Sequence, residues 1–506
     1  MSPYLQAATA SSIYVMVESD SEAPVSVDFG ETTSYGQRAS TESLGLTASG
    51  TYVHRVKLAG LKAGSAYYYR ASQGDAVSAG ASFRTLVDRG QPFRFAWMAD
   101  CRTGTDVHDG ISARILSAQP LFSLYGGDLC SDGTRESFMA EFFRPNELAL
   151  DASVPFFNSP GNHEGWGTNT RAFQQAPDSA SGTQDFYSFD CGDLHVLVLN
   201  AMTDAWAGSP QYKFAQADLS ASAKPWKIVT FHTPAYCSGG HGEDPAFKAM
   251  TTDIFEPTGV TLVLAGHSHF YQHNLVNGIH HLVVGSAGAP LYDPIPAPYT
   301  VTQSKSYCYA VADVSVEALR LSVYNDQGVL LDKLNLLQKE DIDGDGFLNE
   351  IELALGSDPE DPNSTPRWLP SPTPSSGLSV SRADVQLDLA HFRRDRISLR
   401  GAVPLDASFN PEGQRVIVDF GGVVDAFVLD GKGASVPNKP SFKIGRPGKG
   451  NSVGFVLNLQ QGNFASVLGS AKLKTQSMKK DVRLTFIIGG KVFDQKVSAK
   501  VRVIGH

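Results

Sequence analysis

Five apolar, β-prone runs of this 506-residue chain each lead into a polar residue that can hold a metal ion. Phe93–Met98 precedes Asp100, and Pro120–Tyr125 precedes Gly127-Asp128. Val154–Phe157 precedes Gly161-Asn162-His163-Glu164. Lys227–Phe231 leads into His232 of Phe231-His232-Thr233-Pro234, and Val260–Ala265 into Gly266-His267-Ser268-His269. A strand ending in Asp, Asn or His carries that side chain to the rim of a sheet. Five rims offering carboxylate, amide oxygen and imidazole make a mixed oxygen and nitrogen donor set suited to a divalent metal. A lone His before Pro, or one Gly-Asp pair, is more often a loop polar satisfied by its own backbone. The ordered set, with both Gly-Asn-His-Glu and Gly-His-Ser-His intact, carries the inference.

The length implies three or four domains. Hydrophobic residues are 42% and charged residues 19% of the chain, a globular balance. No stretch is apolar for the length a bilayer crossing needs. The net charge of -10 is segregated. Residues 89–339 carry 15 Lys/Arg against 25 Asp/Glu, residues 340–375 carry 1 against 9, and residues 376–506 carry 20 against 10. An acidic segment suits cation binding. The basic end could contact an anionic polymer or surface, although a charge excess is usually a solvated face. Cys101, Cys130, Cys191, Cys237 and Cys308 follow no zinc or redox spacing. Either Cys101 pairs with Cys130 or all five are buried thiols. The start, Met1-Ser2-Pro3, carries no signal peptide and reads as a chain whose leader has been removed, so a secreted, extracellular or periplasmic location is expected.

Residues 341–352 match the calcium loop D-x-D-x-D-G-x5-E at every ligand position. Asp341, Asp343, Asp345, Asn349, the Phe347 carbonyl and a bidentate Glu352 would hold Ca²⁺, with Gly346 at the sharp turn. The alternative is a solvated acidic linker. Pro362–Gly377, rich in Pro and Ser, reads as a stiff extended linker. Residues 378–506 hold β-prone runs at Gln414–Phe420, Ser452–Leu459 and Val482–Ile488, with hairpin signals at Gly421-Gly422 and Gly489-Gly490, and no catalytic cluster. They form a β-sandwich of unassigned role.

The clusters from Asp100 to His269 resemble the calcineurin-like metallophosphoesterase superfamily over about residues 93–335, and within it the purple acid phosphatases and their bacterial relatives. The opening Pro3-Tyr4-Leu5-Gln6 is similar to the start of the fibronectin-III-like domain that precedes the catalytic domain there. Leu61–Tyr67 resembles the tyrosine corner of such sandwiches. His232-Thr233-Pro234-Ala235-Tyr236 through His241 is similar to that family's H-x-P-x-Y segment. The resemblance implies an α/β metallophosphoesterase core, a ββ sandwich flanked by helices, over 89–339. An all-β sandwich over 1–88, the calcium loop and linker over 340–377, and a β-sandwich over 378–506 complete the chain.

The resemblance further implies two transition metals, Zn, Mn or Fe. Asp128 would bridge them. Asn162, His232 and His267 would complete one site, B; Asp100 and His269 would belong to the other, A. His163 and His241 would face the leaving group or a phosphate oxygen, with Glu164 orienting His163. Site A departs from the pattern. Arg102 stands where most of the superfamily has a ligating His, and Ser131 where purple acid phosphatases have Tyr, so no purple colour is expected. Site A then binds weakly, borrows Cys130, Ser131 or a water, or stays empty. Arg102 either grips phosphate or pairs with Asp132 or Asp106 to hold its loop. The expected activity is secreted hydrolysis of phosphate monoesters by metal-activated hydroxide attack on a small phosphorylated substrate, with no specific nucleic-acid recognition. Diester hydrolysis is the alternative within the class. A calcium-stiffened surface-binding protein with a degenerate catalytic domain is the alternative outside it.

Overall fold

The computed structural model describes residues 2–316, 318–337, 376–388, 394–405, 409–436, 441–445, 452–462, 464, 468, 477–488 and 491–504. The calcium loop expected over 341–352 and the Pro/Ser linker lie outside the described residues, apart from the linker's last two, 376 and 377. The chain divides into two units, Met1–Gln338 and Lys339–His506.

The first unit is built on two large sheets. One has ten strands, in the order Leu330–Leu337, Ala318–Asn325, Cys308–Val314, Phe93–Met98, Phe122–Tyr125, Phe156–Asn158, Tyr4–Gln6, Ser12–Ser19, Tyr52–Ala59, Ser43–Leu46. The other has seven, in the order Tyr187–Cys191, Leu194–Val198, Trp226–Thr230, Leu262–Ala265, Ile279–Val284, Tyr271–Val276, Thr300–Ser304. All five apolar runs that precede a candidate ligand contain strands, and their pairings with one another within each sheet are parallel. Strands buried on both faces read as continuous apolar runs, and Phe122–Tyr125 and Leu262–Ala265 are buried throughout. Phe95, Trp97, Leu124, Ile228, Leu262 and Leu282 share one core between the sheets. Phe157 of one sheet stacks on Phe189 of the other, centroids 3.8 Å apart. Helices Thr105–Ala118, Pro145–Asp151 and Pro210–Ala221 accompany the sheets. This is the expected two-sheet core with helices.

The N-terminal segment does more than precede this core. Tyr4–Gln6 pairs in parallel with Phe156–Asn158, with Gln6 opposite Phe156, and the Tyr4 hydroxyl donates to the Phe173 carbonyl. Its strands therefore continue the ten-stranded sheet, beside the strand that delivers Asn162. A separate five-stranded sheet holds Ser26–Gly30 and Ala66–Gln73. The Tyr67 hydroxyl accepts the Lys62 N–H at 3.0 Å, the bond a tyrosine corner makes. All five cysteines are free and buried, which decides between the two readings of Cys101 and Cys130.

The second unit is all-β, a nine-stranded sheet around one apolar core. Phe420 faces Val423 across the Gly421-Gly422 turn, whose φ values of 63° and 91° favour glycine.

Candidate metal centre

The strand ends are locked to one another before any side chain is considered. The Asp100 N–H donates to the Gly127 carbonyl and the Cys101 N–H to the Asp128 carbonyl, both at 2.9 Å. A Cβ on Gly161 would lie 2.2 Å from the Asp128 nitrogen, and one on Gly266 would lie 2.5 Å from Asp100 Oδ2. Those glycines are needed because the loops approach too closely for any side chain.

The structure brings Asp128, Asn162, His232 and His267 together. His232 Nε2 lies 3.0 Å from Asn162 Oδ1, 3.1 Å from His267 Nδ1 and 3.3 Å from Asp128 Oδ1. His232 Nδ1 is 2.6 Å from the Gly126 carbonyl, which can only accept, so Nδ1 carries the proton and Nε2 turns a lone pair toward these atoms. Converging acceptor atoms in a buried place are what a cation would resolve.

Asp100 and His269 form the second half. His269 Nδ1 donates to the Pro290 carbonyl at 2.8 Å, leaving Nε2 as a buried lone pair with no hydrogen-bond partner, 3.4 Å from Asp100 Oδ1. Asp100 also accepts the His267 N–H at 2.9 Å. Asp100, Asp128 and His232 each present a ligand atom within 4.8 Å of the others. The donor set therefore fits a metal ion.

Site A has neither the His nor the Tyr that would complete it, so it is short of one protein ligand, and its neighbours explain what stands there. Ser131 donates its hydroxyl to Glu141 at 2.7 Å and its N–H to the same carboxylate at 2.6 Å. Glu141 also accepts the Thr103 N–H at 3.2 Å, so one carboxylate ties together the loops after Asp100 and Asp128. Burial pushes the Cys130 thiol up to about 12, which disfavours a thiolate ligand. Arg102 pairs with neither Asp132 nor Asp106. Its Nε lies 3.4 Å from Asp128 Oδ2, and the side chain is 12% exposed.

His163 stands at the mouth, its Nε2 3.8 Å from Asp128 Oδ2 and a third of its side chain exposed. Its Nδ1 bonds to the Ser131 carbonyl at 2.8 Å. Glu164 does not orient His163, contrary to expectation. The tight turn points Glu164 inward, where it accepts the Gly161 and Leu129 N–H groups. Burial, with the charge of Asp128, pushes Glu164 up to about 8. His241 is exposed, its ring 4.4 Å from that of His267. Tyr292, which no sequence signal marks, stacks on His269 with centroids 4.4 Å apart.

Electrostatics favour the ligating forms of the imidazoles and of Asp128, and oppose that of Asp100 in the absence of a cation. Burial, then the neighbouring His232 and His241 imidazoles, push His267 down to about 3. Burial likewise lowers His269 and His241; for His267 and His269 this favours the neutral imidazole that ligation requires. Burial raises Asp100 well above the carboxylate range. Burial also acts upward on Asp128, but His232, the His163 N–H and Arg102 outweigh it and hold Asp128 low.

The matches to known proteins fall on this same region. Residues 103–271 match the calcineurin-like phosphoesterase family model. The chain therefore carries a calcineurin-like phosphoesterase domain over these residues. It is 30% identical over 240 residues to purple acid phosphatase 21 of Arabidopsis thaliana, covering 44% of this chain and 53% of that one. It is also 30% identical over 168 residues to probable inactive purple acid phosphatase 9 of the same plant, covering 28% and 25%. The chain thus spans about half the length of the first of these curated relatives. In fold it is similar to a purple acid phosphatase from yellow lupin seeds, with a TM-score of 0.58 at 18% identity, covering 67% of this chain and 74% of that one. Among the described residues, no helix is long and apolar enough to cross a membrane.

Proposed function

We propose that this chain is a secreted, metal-dependent hydrolase of phosphate monoesters. The convergence of the His232, Asn162, His267 and Asp128 ligand atoms, with the unpartnered His269 Nε2 beside Asp100, carries the reading. Asp128, Asn162, His232 and His267 would hold the first metal, and Asp100, Asp128 and His269 a second, weaker one. A bound divalent cation supplies Lewis acidity and activates water near neutral pH. The protein's own part is placement and charge. The Arg102 guanidinium, beside Asp128, offers a fork that two equatorial phosphate oxygens fit. His163 Nε2, exposed at the mouth with Nδ1 fixed on the Ser131 carbonyl, holds the proton that the leaving alkoxide takes. His241, exposed with its ring 4.4 Å from that of His267, would contact the ester group.

A degenerate domain, the state the name of one relative suggests for that relative, would not be expected to keep buried lone pairs converging without a cation. Metal analysis of protein purified without chelator, followed by mono- and diester panels, tests the reading. At least one transition metal per chain and monoester turnover abolished by chelation are expected. Metal-free protein with unchanged turnover, or no turnover after metal loading, would overturn it.

A further inference from the structure

The sequence places a basic surplus in the last 131 residues without showing where it goes. In the second unit the strands Ser477–Ile488, Lys491–Ile504, Ser379–Asp388, Asp395–Val403 and Val453–Gly462 are consecutive neighbours. Alternation sends Phe493, Val497, Ala499, Val501 and Val503 into the core and Lys496, Ser498, Lys500 and Arg502 outward. Register then aligns the outward residues of successive strands. Lys479 lies directly opposite Lys500. Gln386 faces Arg502 on one side and Arg396 on the other. Arg382 lies opposite Arg400.

Three carboxylates on this face are taken. Arg382 holds Asp384, Lys496 holds Asp481 at 2.9 Å, and Arg483 holds Asp494 at 2.6 Å. A fourth, Asp388, ends its strand with a partner of its own. Arg396, Arg400, Lys479, Lys500 and Arg502 are exposed and make no ion pair among the described residues. Like charges set directly opposite across a ladder are unfavourable, and Lys479 and Lys500 form such a pair. An external anion would relieve it.

The chemistry between the cations selects the partner. The outward positions between the cations include Gln386, Ser398, Asn458 and Gln460, which hydrogen-bond hydroxyl groups, together with Val456 and the Asp384 that Arg382 holds. No aromatic residue stands on the outward positions of these strands, so the face offers no platform for stacked bases. Nor does it carry the apolar anchors of a membrane-inserting surface. Strands about 4.8 Å apart and outward residues about 6.7 Å apart along a strand give a charge lattice on the scale of a sugar repeat. We propose that this outer face binds a linear acidic polysaccharide, its carboxylate or sulfate groups on these five cations and its hydroxyls on the amides.

The test titrates the full chain with hyaluronan fragments, with neutral dextran, duplex DNA and phosphatidylserine vesicles as comparisons. Hyaluronan should bind and dextran should not, and affinity should fall at least about ten-fold between about 50 and 200 mM salt, as displacement of counterions by several contacts demands. Lys500→Gln/Arg502→Gln and Arg396→Gln/Arg400→Gln should each weaken binding at least about ten-fold, while Lys432→Gln, in a turn elsewhere in the unit, should not. Phosphate-ester turnover should be unchanged. Where a double variant fails to fold, amide-exchange protection of the wild-type strands 477–488 and 491–504 by hyaluronan replaces it. Wild-type affinity in the folded double variants, no protection of those strands, no binding at low salt, or tighter binding to DNA or vesicles at equal charge would overturn the proposal.

Discussion

Arg102→Ala separates the two roles the sequence leaves open, substrate contact and loop bracing. The guanidinium Nε is 3.4 Å from Asp128 Oδ2 in a largely closed pocket. At an effective dielectric constant of about 20, unit charges at that distance interact by about 5 kcal/mol. A phosphoryl group spreads its charge over three oxygens and part of the field is screened, so the fork's differential worth in the transition state is about 1.4–4 kcal/mol. That corresponds to a fall in kcat/KM of about ten- to a thousand-fold. The metal should respond in the opposite sense. Removing a cation beside Asp128 lowers the cost of placing another there, so metal uptake at the Asp100–His269 side should rise. The assay is one set of measurements on wild type, Arg102→Ala and Arg102→Lys: kcat/KM, the inhibition constant of free phosphate, metal content and melting temperature. Lysine keeps the charge and loses the fork, so it should fall between. Unchanged phosphate inhibition with a lowered melting temperature would refute substrate contact and leave Arg102 as a brace.

Three further outcomes are expected. His267→Ala removes a neutral ligand from the fuller site and should abolish turnover and most bound metal; elemental analysis showing wild-type metal content would sink the assignment. Asp341→Ala should leave turnover intact under metal saturation while abolishing a calcium-dependent rise in melting temperature, because the calcium loop shares no ligand with the metal centre. His195 gives a pH signature of stability. Burial lowers its pKa, but Asp190 and Asp218, each 2.7 Å from a ring nitrogen, overcome this and raise it to about 9. A raised pKa stabilises the fold fully below the unfolded value of about 6.5, and that stability is lost as pH climbs through about 9. The contribution is about 2–3 kcal/mol at most, since Asp190 is half exposed and the pair is screened. Melting curves of wild type and His195→Gln should converge between pH 7 and 9.5; parallel curves would contradict it.

The ligand strands and the candidate residues themselves were legible because a parallel strand buried on both faces has an unambiguous apolar signature and ends where its polar residue begins. What stayed hidden is tertiary. Tyr4–Gln6 looks like the start of a separate module, and only pairing with Phe156–Asn158 shows it inside the large sheet. Glu141 lies in the π-helical turn Phe138–Phe142 with nothing in its neighbourhood to mark it, yet it accepts from both loops that lack a family ligand. Asp106, near Arg102 in sequence, and Asp132, in the loop after Asp128, are the partners the sequence suggests. The fold instead offered Asp128, since the direction of a loop side chain follows from backbone geometry that local spacing does not encode.

That geometry is also where the site stores its constraint. Only eight non-glycine residues among those described have positive φ, and Asp100, Asp128 and His267 are three of them, at 58°, 53° and 68°. Each such residue is disfavoured by about 1–2 kcal/mol, and Asp tolerates the region better than His does. Nothing in the chain's composition would select that conformation at three separate strand ends. It persists because the flanking strands are buried and the loops are tied by the Asp100 and Cys101 backbone bonds to Gly127 and Asp128. These turns bring strand-end side chains together: the ligand atoms of Asp100 and Asp128 lie within 4.8 Å of that of His232, and His267 Nδ1 lies 3.1 Å from His232 Nε2. The apolar frame thus supplies the rigidity, and the ligands' placement is fixed before any cation arrives, the condition under which a bound metal and Arg102 act on a phosphoryl group without reorganising the protein.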